Sequence, residues 1–293
     1  MKDQANFWMS KQEQRHYQIR KSYSYGMHTA LVVATLLVLA PLCSILGYVI
    51  FKGAPGFNLD FFTQLPKPVG ESGGGMANAI LGSFTLIGLA ALVGIPWGLG
   101  VGLYLSEYGK QRSLFTNIVR FSIDTLASLP SIIIGLFIYA AVVRSMGRFS
   151  AIAGGLALSL LMVPIIARTS EELLSMIPMH TREAGLALGL PRWKVILWII
   201  LKGSLAPLST GVILALARIA GETAPLLFTA FNNQYWQSGL DQPIASIPAQ
   251  IFNYATSPFD DWHNQAWTAA FLLVIIVMLL NLTTKFILRT RRA

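Results

Sequence analysis

The sequence predicts an all-α, polytopic membrane protein with six transmembrane helices. Three observations carry this. Of the 293 residues, 54% are hydrophobic and only 12% charged, with a mean hydropathy of +0.57; ordinary soluble domains carry about 25% charged residues. The few charges leave apolar windows close to the roughly 20 residues that a helix needs to cross about 30 Å of hydrocarbon. The windows lack the strict two-residue alternation of barrel strands. A soluble globular domain, a disordered chain and a nucleic-acid-binding protein are thereby excluded. The net charge of +9 comes from basic residues spread between apolar runs, not gathered in a binding stripe.

The elements follow in chain order. Residues 1–25 are polar and basic and read as a cytoplasmic N-terminal segment. The apolar run behind them, Thr29 to Phe51, is too long for the core of a cleaved signal and reads as a retained first span. Residues 26–76 then hold that span and an extracytoplasmic loop. Residues 77–285 form a core of five helices, and 286–293 a cytoplasmic tail. The five windows are Ser72 to Ser106 (apolar from Ala77), Phe121 to Val143 with Asp124 near its start, Phe149 to Ala167, Val195 to Phe231 interrupted by Lys202, Arg218 and Glu222, and Asn264 to Thr284. Gly94, Gly98 and Gly102 place small residues at four-residue spacing, a face for close helix packing. The lone Cys43 excludes an intrachain disulfide.

Orientation follows from the basic residues. Of 22 Lys and Arg, seventeen fall in segments on one side, and only Lys52, Lys67, Arg144 and Arg148 on the other. Arg218 lies within a span. The positive-inside rule places both termini in the cytoplasm. On the outer side, Gly73-Gly74-Gly75 reads as a hinge before the second span; a backbone nest for an anion is the alternative. The outer segment Asn232–His263 lacks Lys and Arg and is rich in aromatics and proline. It is too apolar for a slack linker and should fold against the outer membrane face or dock a partner.

The cytoplasmic segment between spans four and five is the most informative. Residues 181–188 suit a short helix, stopped by Gly189 and Pro191. It presents Ala184 and Leu188 to the cytoplasm and is too short and small-sided to hold itself on lipid, so a groove on a protein partner is expected.

Here the sequence resembles a family. Glu183-Ala184-Gly185, then Gly189, then Ile199 and Leu201 is similar to the EAA loop of ATP-binding-cassette (ABC) importer permeases, with Gly185 for the second Ala and Lys202 where Pro is usual. Gly221-Glu222-Thr223-Ala224-Pro225-Leu226-Leu227, Leu129-Pro130-Ser131-Ile132, Tyr104 to Gly109 and Gly73 to Ala79 narrow the resemblance to permeases of phosphate importers. The resemblance implies a MetI-like type I permease fold in a bacterial inner membrane. It implies a heterodimer with a second permease, two ATPase subunits and an extracytoplasmic phosphate-binding protein. It also implies that Glu183, Ala184, Gly185, Leu188 and Gly189 couple the chain to the ATPase.

This chain has no Gly-x-x-x-x-Gly-Lys-Ser/Thr loop. It is therefore expected to be no enzyme and to bind no cofactor or metal itself, with ATP and Mg²⁺ held by the partner ATPase. Arg218 and Glu222, four residues apart, are expected on one helix face. A mid-membrane charge costs roughly 2.5–3.5 kcal/mol on insertion scales, so the two face a translocation path or form a structural pair. Arg168, at the end of span four, is a second path candidate or a boundary residue. Asp124 is expected to pair with Arg120. Rival functions are an ABC permease for phosphonate, sulfate or molybdate and an ion-gradient transporter.

Overall fold

The computed structural model describes residues 11–68, 71, 73–109 and 113–290. Gly70 and Ser72 of the outer loop, and the basic residues Lys2, Lys110, Arg112, Arg291 and Arg292, lie outside them. The chain divides into two compact units, Met1–Phe51 and Lys52–Ala293. Within the first, α1 (Lys11–Gly53) runs as one helix, with Pro41 inside it. Its apolar residues Leu31, Leu36, Leu37 and Val38 are all exposed, as a span that meets lipid or another chain requires.

In the second unit, α2 (Leu59–Thr63) is capped by Asn58, whose side chain accepts from the Phe61 amide. The glycine run then turns the chain into α3 (Ala77–Tyr108). Gly73 and Gly74 take φ of +86° and +85°, which glycine alone adopts without strain. The amides of Gly75 and Met76 donate to the carbonyls of Leu65 and Phe61, and the Gly73 carbonyl accepts from Gln265. This is a tied turn: the Gly75 amide that a nest would aim at an anion is already used.

Next come α4 (Leu114–Ser128) and α5 (Ser131–Ile138), continued by a π-helical turn Tyr139–Val143 and by α6 (Arg144–Met146). The third window is therefore not one straight helix: α4 and the α5–α6 run meet at 108°. Leu129 is extended (ψ 137°) because Pro130 follows it, and a residue before proline is pushed out of the helical region.

The fourth span, α7 (Ala151–Ser175), is capped by Ser150 and is the centre of the unit. It packs parallel to α3. A Cβ on Gly98 would lie 2.7 Å from Ile166 Cβ and one on Gly94 3.2 Å from Met162 Sδ, while Gly102 backs onto Ser170. The four-residue glycine spacing on α3 thus meets residues at the same spacing on α7. Leu86, Ala90, Leu158, Met162 and Ile166 form the main core with Ala215 and Ile219.

The chain continues through α8 (Met179–Ala187), α9 (Arg192–Lys194) and a π-helical stretch Val195–Leu201. It then bends by 70° into α10 (Leu205–Ile219), so the fifth window is also broken. The bend occurs although Lys202 stands where proline was expected. After α10 come α11 (Ala224–Thr229), α12 (Ile247–Ala255) and α13 (Asp260–Thr290).

The apolar segment Asn232–His263 is folded into the unit and does not merely rest on a membrane face. Ser83 Oγ on α3 accepts the Ile247 amide at 2.8 Å. Ile244, Ala245, Ile247, Gln250 and Tyr254 are buried, and Tyr254 stacks on Trp262. Burial pushes the Tyr254 phenol above its usual pKa. Among the described residues, four helices are long and apolar enough to span a membrane, and counting each bent pair as one span gives six. No strand occurs among the described residues.

Candidate functional site

Three groups of candidate residues can be placed. The first is the end of α10. Arg218 occupies its last turn, where the negative end of the helix dipole favours a cation. The helix stops at Ile219, so Glu222 is not on the same helix face. It sits in the following turn, held by its amide on the Ile219 carbonyl. Glu222 Oε1 still comes within 3.9 Å of Arg218 Nε. At that distance the pair is an ion pair without a hydrogen bond. Arg218 is 62% exposed and Glu222 18%. Leu214, one turn earlier on the same stripe, is exposed as well. A guanidinium on that stripe, with no hydrogen bond among the described residues, needs water, an anion or another chain rather than lipid.

The fold brings two separately recognised motifs together here. Gly135 of α5 packs on Pro225 of α11, where a Cβ would meet Pro225 Cα at 2.6 Å. The run after Leu129-Pro130 and the run after Gly221 are thus in contact. Phe231 closes α11 in the left-handed region, at φ 61°, and stacks on Phe149.

The second group is a charge chain between α4 and α7. Asp124 does not pair with Arg120; it accepts from Arg168. Arg120 reaches Glu171 at 2.6 Å, and Arg168 reaches the other oxygen of Glu171 at 3.3 Å. Two carboxylates therefore flank Arg168, and the sequence reading had missed Glu171. Its three-residue spacing from Arg168 was the available signal.

The third group is the segment 179–193. The helix begins at Met179, two residues before the expected start. Glu183 consequently lies in the second turn, exposed, 3.2 Å from His180 Nδ1, and makes no cap. Ala187, Leu188 and Gly189 end the helix as expected, in a Schellman motif: the Gly189 amide donates to Leu186 O and the Leu190 amide to Gly185 O. Gly189 takes φ +80°. Gly185 is the one buried residue of α8, with Val195 and Ile199 against it. Ala184, Leu186 and Leu188 face outward, Leu188 at 82% exposure. Met176, Met179 and Trp193 extend this exposed apolar surface.

Sequence reading also missed the attachment of this segment. Arg182 Nε and Nη2 both donate to Glu107 Oε1 of α3, at 2.9 and 2.7 Å. The pair is nearly buried, 13% and 5% exposed.

Comparison with known proteins decides the family. Residues 94–290 match the model of the binding-protein-dependent transport system inner membrane component. This chain belongs to that family. Two relatives of this transport component are named phosphate transport system permease protein PstA. The one from Yersinia pestis is 43% identical over 293 residues, covering 100% of this chain and 98% of that protein. The one from Haemophilus influenzae is 43% identical, covering 93% and 96%. A probable PstA of Methanocaldococcus jannaschii is 33% identical over 87% of this chain and 90% of its own. Among solved structures, the inward-facing MetNI methionine ABC transporter matches with a TM-score of 0.58 at 21% identity, over 73% of this chain and 96% of that one. That likeness establishes the MetI-like permease fold.

Proposed function

We propose that this chain is the permease of an ATP-driven importer of inorganic phosphate. The observation that carries the reading is identity of 43% along the whole chain with PstA phosphate permeases. A family match alone would suit another oxyanion equally well.

In this reading both termini and α8 are cytoplasmic, supported by the concentration of Lys and Arg on that side. A second permease covers the exposed stripe of Leu214 and Arg218, and the translocation path runs between the two chains. Arg218 offers its free donors to the passing phosphate. Glu222 holds the guanidinium in place and keeps the anion from binding too tightly, since a conducting site must release its ion. Arg168 takes part less directly, because Asp124 and Glu171 already neutralise it.

ATP is hydrolysed on separate ATPase subunits, with their own Mg²⁺. One of them receives α8 in a groove that covers Ala184, Leu186 and Leu188, while Gly185 and Gly189 set the shape of the segment behind them. Phosphate arrives on a binding protein from the outer side, which also supplies most of the selectivity, because charge alone does not separate phosphate from sulfate.

The test is purification of the tagged chain with its native neighbours. A second permease and a P-loop ATPase should co-purify, and ATP hydrolysis in liposomes should rise with phosphate-loaded binding protein. Hydrolysis indifferent to phosphate would reject the substrate, and absence of an ATPase would reject the transporter class.

A further inference from the structure

The exposed helix α8 meets the rest of the chain at Gly185 and at Arg182. Gly185 rests on Val195 and Ile199, which lead through the π-helical stretch to α10 and Arg218. The other contact is Arg182. Its Nε and Nη2 hold Glu107 in the last turn of α3, Nη1 donates to Ile177 O at 2.8 Å, and Nη2 donates to Leu174 O at 3.2 Å, in the last turn of α7. One guanidinium therefore clasps the ends of two spans and the start of α8. Arg192 reinforces the same point, with its guanidinium 4.9 Å from the Tyr108 ring centroid and Nη2 3.4 Å from Glu107 O. Above this clasp, α3 and α7 are locked together through Gly94, Gly98 and Gly102. Glu107, Arg182 and Arg192 also line a cavity of about 300 Å³, together with Ser106, Met179 and Val195.

We infer that the Arg182–Glu107 pair is the joint through which movement of α8 drives α3 and α7 as one body, so that both are positioning residues for the transport step. The planar fork of arginine suits it, because a lysine ammonium cannot hold one carboxylate with two donors and reach two carbonyls as well. A nearly buried pair is also one whose partner is costly to leave alone. The inference rests on the reading that α8 is the ATPase contact.

The test uses the whole complex, with Cys43→Ser and otherwise cysteine-free, carrying an environment-sensitive fluorophore at Leu81→Cys. Leu81 is exposed on α3, far along the helix from Glu107. Trapping with ATP and vanadate should shift the emission of the parent complex. Glu107→Gln and Arg182→Gln should shrink that shift about tenfold, within the range of ordinary inter-site coupling, with trapped nucleotide unchanged. Arg182→Lys should restore part of it. A full shift in both Gln variants would overturn the joint, and so would no shift in the parent. A shift that falls only in step with trapped nucleotide would assign the pair to ATPase docking instead. Should the Gln variants not assemble, Glu107→Asp keeps the charge but withdraws the oxygen by one methylene, and a full shift there also overturns the inference. Parent liposomes that trap nucleotide yet take up no phosphate would refute the substrate alone. No trapped nucleotide in the parent would refute the ATPase reading and this inference with it.

Discussion

Gly185 and Val195 touch so closely that a Cβ on the glycine would lie 2.9 Å from Val195 Cγ2, with Ile199 Cδ1 at the same distance. This explains the departure from the usual second alanine of the motif. The π-helical stretch Val195–Leu201 brings the buried Val195 up against α8, and glycine is what lets the Val195 and Ile199 side chains pack directly on the α8 backbone. Gly185→Ala should therefore lower the thermal midpoint of the purified complex, by overpacking worth about 1–3 kcal/mol. Combining it with Val195→Ala should recover part of the loss, since Ile199 Cδ1 stands equally close. No loss in the single variant would show that the contact is slack.

Gly189 is constrained differently. A Cβ there meets open space, but φ is +80°. Gly189→Ala should cost roughly 1 kcal/mol through the backbone alone and leave ATPase binding intact. Gly189→Arg adds a long charged side chain next to the proposed groove and should release the ATPase in co-purification. Equal ATPase retention in both variants would separate this turn from the docking surface.

Arg218→Ala should abolish uptake while the complex assembles and hydrolyses ATP. Arg218→Lys, which keeps the charge but loses the fork, should retain a small part. Loss of assembly in Arg218→Ala would mean that Arg218 and Glu222 are a structural pair.

Arg168→Ala leaves Asp124 unpaired and Glu171 with Arg120 alone. The complex should be less heat-stable yet still take up phosphate, because these side chains are partly exposed and exposed pairs contribute only about 0–1 kcal/mol each. Uptake as low as in Arg218→Ala would put Arg168 on the path itself.

What sequence alone revealed here was what is local. Apolar windows marked the spans, the glycine spacing on α3 marked its packing face, and Gly189 marked the end of α8. The bends in windows three and five were less visible, since composition does not distinguish one bent pair from one straight span; Pro130 was the overlooked signal for the first. Pairings across the fold were invisible. Spacing alone matches Asp124 to Arg120, yet α7 runs antiparallel to α4, so that Arg120 meets Glu171 and Asp124 meets Arg168. Glu107 and Arg182 are 75 residues apart, and only the fold puts the last turn of α3 under α8. The four-residue spacing from Arg218 suggests a shared helix face for Glu222, but Gly221, at C′ after the C-cap Ala220, is a stop signal that this spacing overlooks.

The most direct measurement is uptake of labelled orthophosphate at low external phosphate, in cells lacking this chain and in cells with it restored. Restoring the chain should return uptake, excess unlabelled phosphate should block it, and excess sulfate should not. Uptake that does not depend on the chain, or that sulfate blocks equally well, would contradict a phosphate permease and leave only the importer fold.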